Sequence, residues 1–518
     1  MGVHVDESGG HDEAGGVHRL GSGQPFGVGV PDEADAVARD RDVGGDGVTA
    51  AAVVYEAAMN EDVVRFLTAG DGQDGQERKR VSKILGGHGL SHSPAGRPVR
   101  QYRPARESAG VKRMRMRNCL LAFALLPAAG AGAQDWPQWR GPARDGVVSG
   151  FEAPAAWPEA LTPVWTVDVG TGYATPLLVD GNLFQFARWG DDEVLYSMDP
   201  ETGEIRWRSE YAASFDMSPA TQRHGPGPKS TPAYADGRLF VHGMTGSVTA
   251  FDAAGGEQLW HVPGTGVEPL YHTSASPLVH GGLVIIHVGG HDDGALTAFD
   301  AETGGVRWSW DGDGPAYGSA MLFEFDGVEQ VVTFTQEHFV GVSVADGALL
   351  WSRPFTTQSD TTSQTPVRYR DLVIENGRGN GVTAFRVVGG TDGWTTEDVW
   401  RTRDYSLHMA NPVVRDGVMF GLSHLKRGQY FALDLDSGEA LWESTPRQAE
   451  NAALVRAGNI VFSLQEDAEL VIFEAGRTGL AEIRRYEVAD SETWTQPTVA
   501  GDRIYVKDVS RLYRWDIR

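Results

Sequence analysis

Three aromatic residues and one lysine occupy the same place in a recurring pattern of this sequence. Tyr173, Lys229, Tyr317 and Trp494 each stand two residues before the residue that opens a short apolar segment. Aromatic faces together with a cation are suited to hold a flat anionic molecule. We therefore predict a binding site at these four residues, provided that the fold brings their distant segments together.

The residues that open the apolar segments all carry small hydroxyl or amide side chains. They are Thr175, Thr231, Ser276, Ser319, Thr365, Asn411, Asn451 and Gln496. Such side chains often bond to nearby backbone groups, so a purely structural ring is the main alternative to a binding role. Gln364 lies beside one of these residues and is a further candidate for the site.

A longer repeat positions these segments. Its best copy, Leu296 to Trp308, reads LTAFDAETGGVRW and contains the pattern A-x-D-x-x-T-G-x-x-x-W. Alternating apolar and polar residues predict a strand, and the Asp-to-Gly stretch predicts a tight turn in which glycine supplies the positive φ. The tryptophan begins the next strand, where its large ring can wedge between neighbouring sheets.

The tryptophan marker recurs every 42 to 53 residues. Its copies are Trp165, Trp207, Trp260, Trp308, Trp351, Trp400, Trp442 and, in a degenerate form, Tyr486. Four short antiparallel strands repeated at this spacing are typical of a β-propeller blade. The last set of strands, Gln496 to Asp516, lacks its fourth member, and the segment around Trp165 lacks its first three. We predict an all-β, eight-bladed propeller of four-stranded antiparallel blades, closed by this N-terminal strand.

A secretory signal is predicted well inside the chain. A basic cluster from Arg113 to Arg117 precedes an apolar run from Cys119 to Leu126, and an A-x-A cleavage site follows at Ala131 to Ala133. These features predict a signal peptide at 114–133. We therefore expect a periplasmic or secreted protein.

Residues 1–113 differ from the repeats in composition. They are rich in Gly, Asp, Arg and His, and all 15 tryptophans follow them. Because signal peptides begin a protein, we predict that the true start is Met114 or Met116, with a disordered extension as the alternative. The mature chain would then consist of a strap at 134–162 and the propeller at 163–518.

The charge of the chain restricts its partners. The formal net charge is −25 at pH 7, which argues against nucleic acid or anionic lipid as a partner. No run after the signal approaches the roughly 18 apolar residues of a membrane helix. Hydrolase patterns such as H-E-x-x-H and the haem-attachment pattern C-x-x-C-H do not occur. We expect a monomer that does not span a membrane.

The repeat resembles the quinoprotein-type family of eight-bladed propellers with tryptophan docking motifs. Two branches share this pattern: the pyrroloquinoline quinone (PQQ) dehydrogenases, and non-catalytic periplasmic propellers typified by the assembly factor BamB. The resemblance covers about residues 135–518. It includes the opening DWPQWRGP at Asp135 to Pro142, which is similar to the head of PQQ-binding-like propeller proteins. The resemblance predicts the fold and leaves enzyme and scaffold as open alternatives.

The dehydrogenase branch implies PQQ and calcium as cofactors. In that branch a tryptophan stacks on the quinone, carboxylates and an amide bind calcium, and a lysine or arginine polarises a quinone oxygen. The residue types that match by blade position are Trp494, Glu450, Asn411 or Asn451, Asp508, and Lys507 or Lys229. Because Cys119 is the only cysteine and lacks a lipobox, neither a site with adjacent cysteines nor a lipid anchor is expected.

Two functions follow from these patterns. The first is an exported propeller that acts as a scaffold and binds a protein partner or a flat anionic small molecule at the mouth of its central channel. The alternative is a PQQ- and calcium-dependent oxidoreductase of the alcohol or sugar dehydrogenase type. The predicted site residues are Tyr173, Lys229, Tyr317, Gln364, Asn411, Trp494 and Lys507.

Overall fold

A computed structural model describes residues 135–360, 362–390 and 393–518. The predicted extension and signal peptide, 1–133, lie outside the described residues. Within the described ranges the chain is almost entirely β-structure. The helices of this part are short 3-10 helices at Pro219–His224, Gln358–Asp360 and Leu425–Arg427.

The described strands form eight antiparallel sheets, here called blades 1 to 8, with strands A to D running from the channel outward. In chain order, blades 1 to 4 consist of Leu177–Val179, Asn182–Trp189, Asp192–Met198 and Ile205–Ala212; Ala233–Ala235, Arg238–His242, Val248–Asp252 and Gln258–Val262; Leu278–His280, Leu283–Val288, Ala295–Asp300 and Val306–Trp310; Met321–Phe325, Val328–Phe334, His338–Ser343 and Leu349–Pro354.

The second half of the ring repeats this arrangement. Blades 5 to 8 consist of Val367–Tyr369, Leu372–Gly377, Gly381–Gly390 and Gly393–Thr402; Val413–Arg415, Val418–Ser423, Gln429–Asp434 and Ala440–Glu443; Ala452–Ala457, Ile460–Gln465, Glu469–Glu474 and Ala481–Glu487; Thr498–Ala500, Arg503–Lys507, Arg511–Asp516 and, as strand D, Pro163–Asp168. The eight-bladed prediction is confirmed.

The ring is closed by its N-terminal strand, as predicted. Pro163–Asp168 pairs antiparallel with Arg511–Asp516, with Trp165 opposite Arg514. Joining the first strand to the last sheet removes an open sheet edge that another chain could otherwise pair with. The closure also fixes the first and last blades side by side, which the channel site requires.

Tryptophans dock each regular blade onto the next one. The indole N–H of Trp308 donates to the Val344 carbonyl at 2.8 Å, and the ring is 8% exposed. The turn glycine of the following blade fits against the same face of each ring. At Gly304, where φ is +73°, an added Cβ would lie 2.8 Å from the Trp260 ring. Glycine is therefore required there both for its conformation and for its size.

Trp351, the marker in the worn repeat, docks differently. Its indole N–H donates to the Gln330 side chain of its own blade at 2.8 Å. In the following blade, a long hairpin formed by Gly381–Gly390 and Gly393–Thr402 replaces the short Asp-to-Gly turn. Trp351 also packs edge-on against Phe385 of that blade.

Residues 135–148, here called the channel plug, cross between blades on different sides of the ring. The backbone N–H of Trp136 donates to the Leu178 carbonyl of blade 1 at 2.7 Å. The Arg144 guanidinium donates to the carbonyl before strand A of blade 3 at 2.7 Å, and Arg140 donates to that of blade 6 at 2.6 Å. Val147–Val148 adds a parallel strand to blade 7. These bonds tie the segment to blades 1, 3, 6 and 7 at the level of their A strands.

Both plug arginines are buried, and their guanidiniums donate to backbone carbonyls. Burial lowers the pKa of Arg140 to about 10 and that of Arg144 to about 9. Both side chains remain charged at neutral pH. Carbonyl dipoles therefore compensate their charge, and removing either arginine would leave several buried carbonyls unpaired.

Candidate functional site

The antiparallel order of each blade places the D-to-A connections and the B-to-C turns at the same end of the propeller. A cavity of about 260 Å³ lies at this end, at the mouth of the channel. Seven of the eight positions that precede the segment openings by two residues line it; Ala449 is the exception. The seven are Tyr173, Lys229, Ser274, Tyr317, Ser363, Met409 and Trp494.

The structure brings five of the seven predicted site residues together. Tyr173, Lys229, Tyr317, Asn411 and Trp494 all line the cavity, although they come from different blades. A closed ring makes this possible, because it gathers the equivalent connections of all its blades around one axis.

Gln364 and Lys507, the remaining two, lie outside the cavity lining. Gln364 is fully buried, and its amide donates to the His408 carbonyl. Lys507 is also fully buried, and its ammonium donates to the carbonyls of Gly172, Asp508 and Val509 at 2.8 to 3.0 Å. These three bonds use every N–H of the ammonium, so this lysine ties the last blade to the first connection.

Tyrosines form much of the cavity wall. Tyr173 is 6% exposed, and burial raises the pKa of its hydroxyl to about 12. The Tyr317 hydroxyl accepts the Tyr271 N–H at 3.0 Å and lies 3.1 Å from Nε2 of His291. Burial raises the Tyr317 pKa as well. Both hydroxyls are therefore neutral at physiological pH, and His291 supports the cavity wall through its contact with Tyr317.

Lys229 supplies a half-buried cation. Its Nζ donates to the Tyr271 carbonyl at 2.8 Å, which leaves two of its N–H groups for other acceptors. Burial lowers the pKa of Lys229 to about 8, because no carboxylate compensates the charge. An anion bound in the cavity would favour the charged form and raise this pKa.

The lining has an unusual charge for so acidic a chain. Lys229 and Arg378 both line the cavity, and none of the described lining residues is an aspartate or a glutamate. Burial lowers the pKa of His408 to about 4, so this lining residue is neutral at pH 7. The lining itself therefore carries positive charge, which favours an anion, while the carboxylates of Glu492 and Glu450 lie just outside it.

The residues that open the A strands form the predicted structural ring over much of its length. The Thr175 N–H donates to the Thr231 hydroxyl at 3.0 Å, and the Thr231 N–H donates to the Ser276 hydroxyl at 2.9 Å. The Thr365 N–H donates in the same way to the Asn411 side chain at 2.7 Å. Each bond links one blade to the next, which accounts for the small polar residue at these positions.

Trp139, Tyr271 and Arg378 line the cavity although no pattern in the sequence indicated them. Trp139 belongs to the plug, and its indole N–H donates to the Thr365 hydroxyl at 2.9 Å. Arg378 lies in the B-to-C turn of blade 5. The signal that could have identified it is strand order, since B-to-C turns share an end with the D-to-A connections.

Calcium does not fit the residues that the resemblance offered for it. Calcium takes six to eight oxygen ligands, commonly from carboxylates. Glu450 is held in a two-point ion pair with Arg223. The Asp508 carboxylate accepts the Tyr513 hydroxyl at 2.9 Å and two backbone N–H groups of its own turn. Among the described residues, no cluster of three or more His, Cys, Asp or Glu could hold a metal ion.

In the part of the chain that the structure describes, no helix has the length and apolar character needed to cross a membrane.

Fold and cavity together define a PQQ-like repeat propeller with a ligand-sized site at the channel mouth. The family model described as outer membrane protein assembly factor BamB matches residues 190–444 and 326–518. These matches span more than half of the chain, so the chain belongs to this family.

Individual relatives come from both branches of the resemblance. An outer membrane protein assembly factor BamB from Yersinia pestis is 23% identical over 325 residues, covering 61% of this chain and 68% of that protein. The dehydrogenase subunit of a quinone alcohol dehydrogenase from Acetobacter aceti is 31% identical over 162 residues, covering 29% of this chain and 21% of that protein. The chain therefore matches about a fifth of the length of this dehydrogenase.

A solved structure supports the architecture. The quinohemoprotein alcohol dehydrogenase from Comamonas testosteroni superposes with a TM-score of 0.54 at 16% identity, covering 74% of this chain and 80% of that one. At this level of identity the likeness shows a shared fold.

Proposed function

We propose that this chain is an exported propeller scaffold that binds a flat anionic small molecule at the mouth of its channel. One observation carries the proposal: the cavity combines aromatic walls with two cations and no carboxylate, in a chain whose net charge is −25. The chain as a whole is acidic, so a lining of this charge is suited to bind anions locally.

The aromatic walls favour a flat ligand. Tyr173, Tyr317 and Trp494 present rings from three connections, and Trp139 adds a ring from the plug. Stacking on such rings contributes about 0.5–1.5 kcal/mol per contact beyond area burial. Lys229 and Arg378 would then orient the anionic groups at the edge of the ligand.

The family supports a second part of the proposal, interaction with a protein partner. The matching family model and the Yersinia pestis relative are both described as outer membrane protein assembly factors. We infer that the propeller presents its loops to a partner protein outside the cytoplasm. The predicted signal peptide supports export, and N-terminal sequencing of the mature protein should find Gln134 or a neighbour as the first residue.

Binding to the cavity can be tested with two aromatic anions, the flat PQQ and the fluorescent 8-anilinonaphthalene-1-sulfonate, by calorimetry and fluorescence. We expect both probes to bind the wild type. The double variant Lys229→Glu with Trp494→Ala should abolish binding and leave the thermal transition nearly unchanged. Failure of both probes to bind the wild type, or unchanged binding by the folded double variant, would contradict the proposal.

The alternative, a PQQ- and calcium-dependent dehydrogenase, is favoured by the Acetobacter aceti relative. It is disfavoured by the cavity lining, which offers calcium no carboxylate. PQQ alone, as a flat anion, is compatible with the lining. The purified protein should be assayed with PQQ, calcium, alcohols and a dye acceptor. Turnover that depends on both cofactors would replace the scaffold proposal.

A further inference from the structure

Residues 213–229 make up most of the connection between blades 1 and 2 and cross the mouth of the channel. Its 3-10 helix Pro219–His224 brings His224 to the cavity wall. The His224 ring lies 6.3 Å from the Tyr173 ring and 4.6 Å, edge-on, from the Trp494 ring. The connection thus passes over the residues that precede blades 1 and 8.

The far side of this crossing is held by an ion pair. The Arg223 guanidinium donates to both carboxylate oxygens of Glu450, at 3.0 and 2.9 Å. Glu450 lies in the connection before blade 7, so the pair joins connections on separate parts of the ring. The guanidinium also lies 5.3 Å from the Trp494 ring, in a cation–π contact. Both charged side chains are more than half exposed, at 51% and 60%.

The two ends of the connection are anchored by contacts of another kind. At one end, the Ala213 N–H donates to the Asp191 carbonyl at 2.9 Å, and Phe215 packs edge-on against His272 at 4.6 Å. At the other end, the Tyr173 N–H donates to the Pro228 carbonyl at 2.8 Å. Packing and backbone bonds fix the ends, and the Ser218 N–H donates to Nε2 of His272 at 3.1 Å beside the buried Thr221. Exposed charges hold the part around Arg223, which pairs with Glu450 and lies 4.0 Å from Glu492.

We propose that residues 213–229 are a lid over the channel-mouth cavity, latched shut by the Arg223–Glu450 ion pair and opened when that pair breaks. The inference rests on the proposed function, because it assumes that a ligand enters this cavity. Exposed ion pairs are weak and broken by thermal motion, so such a latch releases and reforms readily. Anchored ends would let the middle move away while His224 withdraws from Trp494.

Substitution of Arg223 distinguishes the effect of the latch on the association rate from the effect of electrostatic attraction. Arg223→Gln removes a positive charge at the mouth, so electrostatic attraction alone would slow the association of an anion. Loss of the latch would speed association instead. We expect stopped-flow association of 8-anilinonaphthalene-1-sulfonate to be about two- to fivefold faster in Arg223→Gln, the range that corresponds to an exposed ion pair.

The matched control is Arg370→Gln, which makes the same change of charge. Arg370 forms an exposed ion pair with Asp436 at 2.9 Å, with side chains exposed to 67% and 59% respectively, in turns at the opposite end of the blades. Breaking this pair should leave the association rate unchanged. Equal rates in wild type and Arg223→Gln would overturn the lid while leaving the proposed function intact. Absence of binding in both proteins would overturn the proposed function and the role of the lid with it.

Hydrogen–deuterium exchange gives a readout that needs no ligand. Amide exchange across 213–229 should be about two- to fivefold faster in Arg223→Gln and in Glu450→Gln than in wild type, by the same reasoning. The Arg370→Gln protein should match the wild type in this segment, and so should Asp436→Asn, which makes the same change of charge as Glu450→Gln. Unchanged exchange in both latch variants would overturn the latch whatever the binding data show.

Discussion

The two ends of each blade are built from the same repeat, yet they differ in how strictly residues recur. At the C-to-D turns the pattern of Asp, Gly and Trp returns in blade after blade. At the D-to-A connections the corresponding positions hold tyrosine, lysine, serine, methionine and tryptophan. The first end faces a neighbouring blade, and the second faces a cavity.

Contact with a neighbouring blade of the same kind explains why residues recur strictly at the end with the C-to-D turns, here called the strict end. A turn glycine such as Gly304 has no room for a Cβ beside the tryptophan of the preceding blade. The turn of every regular blade packs against such a tryptophan, so every regular blade has a glycine in this turn. Residues at the mouth meet a ligand-sized space instead, and each can differ from its counterparts without weakening the ring.

The sharpest test of this contrast compares two tryptophans. Trp308→Ala should destabilise the protein by about 3–5 kcal/mol, because it removes a buried ring from between two blades. Trp494→Ala, at the mouth, should cost less than about 1 kcal/mol. Urea unfolding at 25 °C measures both values.

Similar losses in the two variants would break the comparison between the docking end and the mouth. Loss of anion binding in Trp494→Ala, with binding retained in folded Trp308→Ala, would sharpen it. The same amino acid would then serve stability at one end and binding at the other.

A smaller effect is expected at the docking turn itself. Gly304→Ala should destabilise the protein by roughly 1–3 kcal/mol, because the positive φ and the Trp260 ring both oppose a Cβ. Gly305→Ala is the matched control, since the nearest atom to its Cβ is a Thr303 hydroxyl at 3.4 Å. It should change stability by less than about 0.5 kcal/mol. Equal costs in urea unfolding would contradict the packing role of the turn glycine.

The strict end is the part that sequence could predict. Trp spacing yields the blade number, and the missing fourth strand after Asp516 predicts closure by the Trp165 segment, as found. The positions of the A strands along the chain could also be predicted from the repeat. They correctly imply that Tyr173 and Lys229 line the same cavity. These predictions succeed because repeated residues report a repeated physical constraint.

The residues at the other end, where the D-to-A connections surround the cavity, could be predicted only in part. Trp139 reaches the cavity from the plug, which belongs to no repeat, so no periodic pattern points to it. Arg378 comes from a B-to-C turn rather than from a D-to-A connection. Lys507 has the right residue type, but carbonyls of its surroundings occupy its ammonium. Whether such a residue reaches the cavity depends on the direction of its side chain and on its hydrogen-bond partners. The spacing of residues in the sequence gives no information on either.

The pH dependence of binding should show the titration of Lys229. Because burial lowers the pKa of Lys229 to about 8, the free protein loses this charge as pH rises through 8. Affinity for 8-anilinonaphthalene-1-sulfonate should therefore fall up to about tenfold per pH unit above pH 8, until the higher pKa of the complex is reached. The nearby His272, with its pKa lowered to about 4, stays neutral throughout this range.

Lys229→Met is the control for this titration. It should bind the same anion more weakly than the wild type at pH 7 and show a flat profile between pH 7 and 9. A wild-type profile that is equally flat would mean that Lys229 does not face the ligand, and the mouth would then lose its main claim to anion selectivity.

The smallest effect is expected at Arg378, which is exposed at the rim of the cavity. Solvent screens an exposed charge, so Arg378→Gln should weaken binding of 8-anilinonaphthalene-1-sulfonate only about two- to fivefold at low salt. The difference should largely disappear in 1 M salt, where the screening length is about 3 Å. Arg370→Gln makes the same charge change in the same blade at its other end, so it should bind like the wild type. If both variants lose affinity equally, the effect belongs to net charge rather than to position, and the two ends of the blade are electrostatically alike.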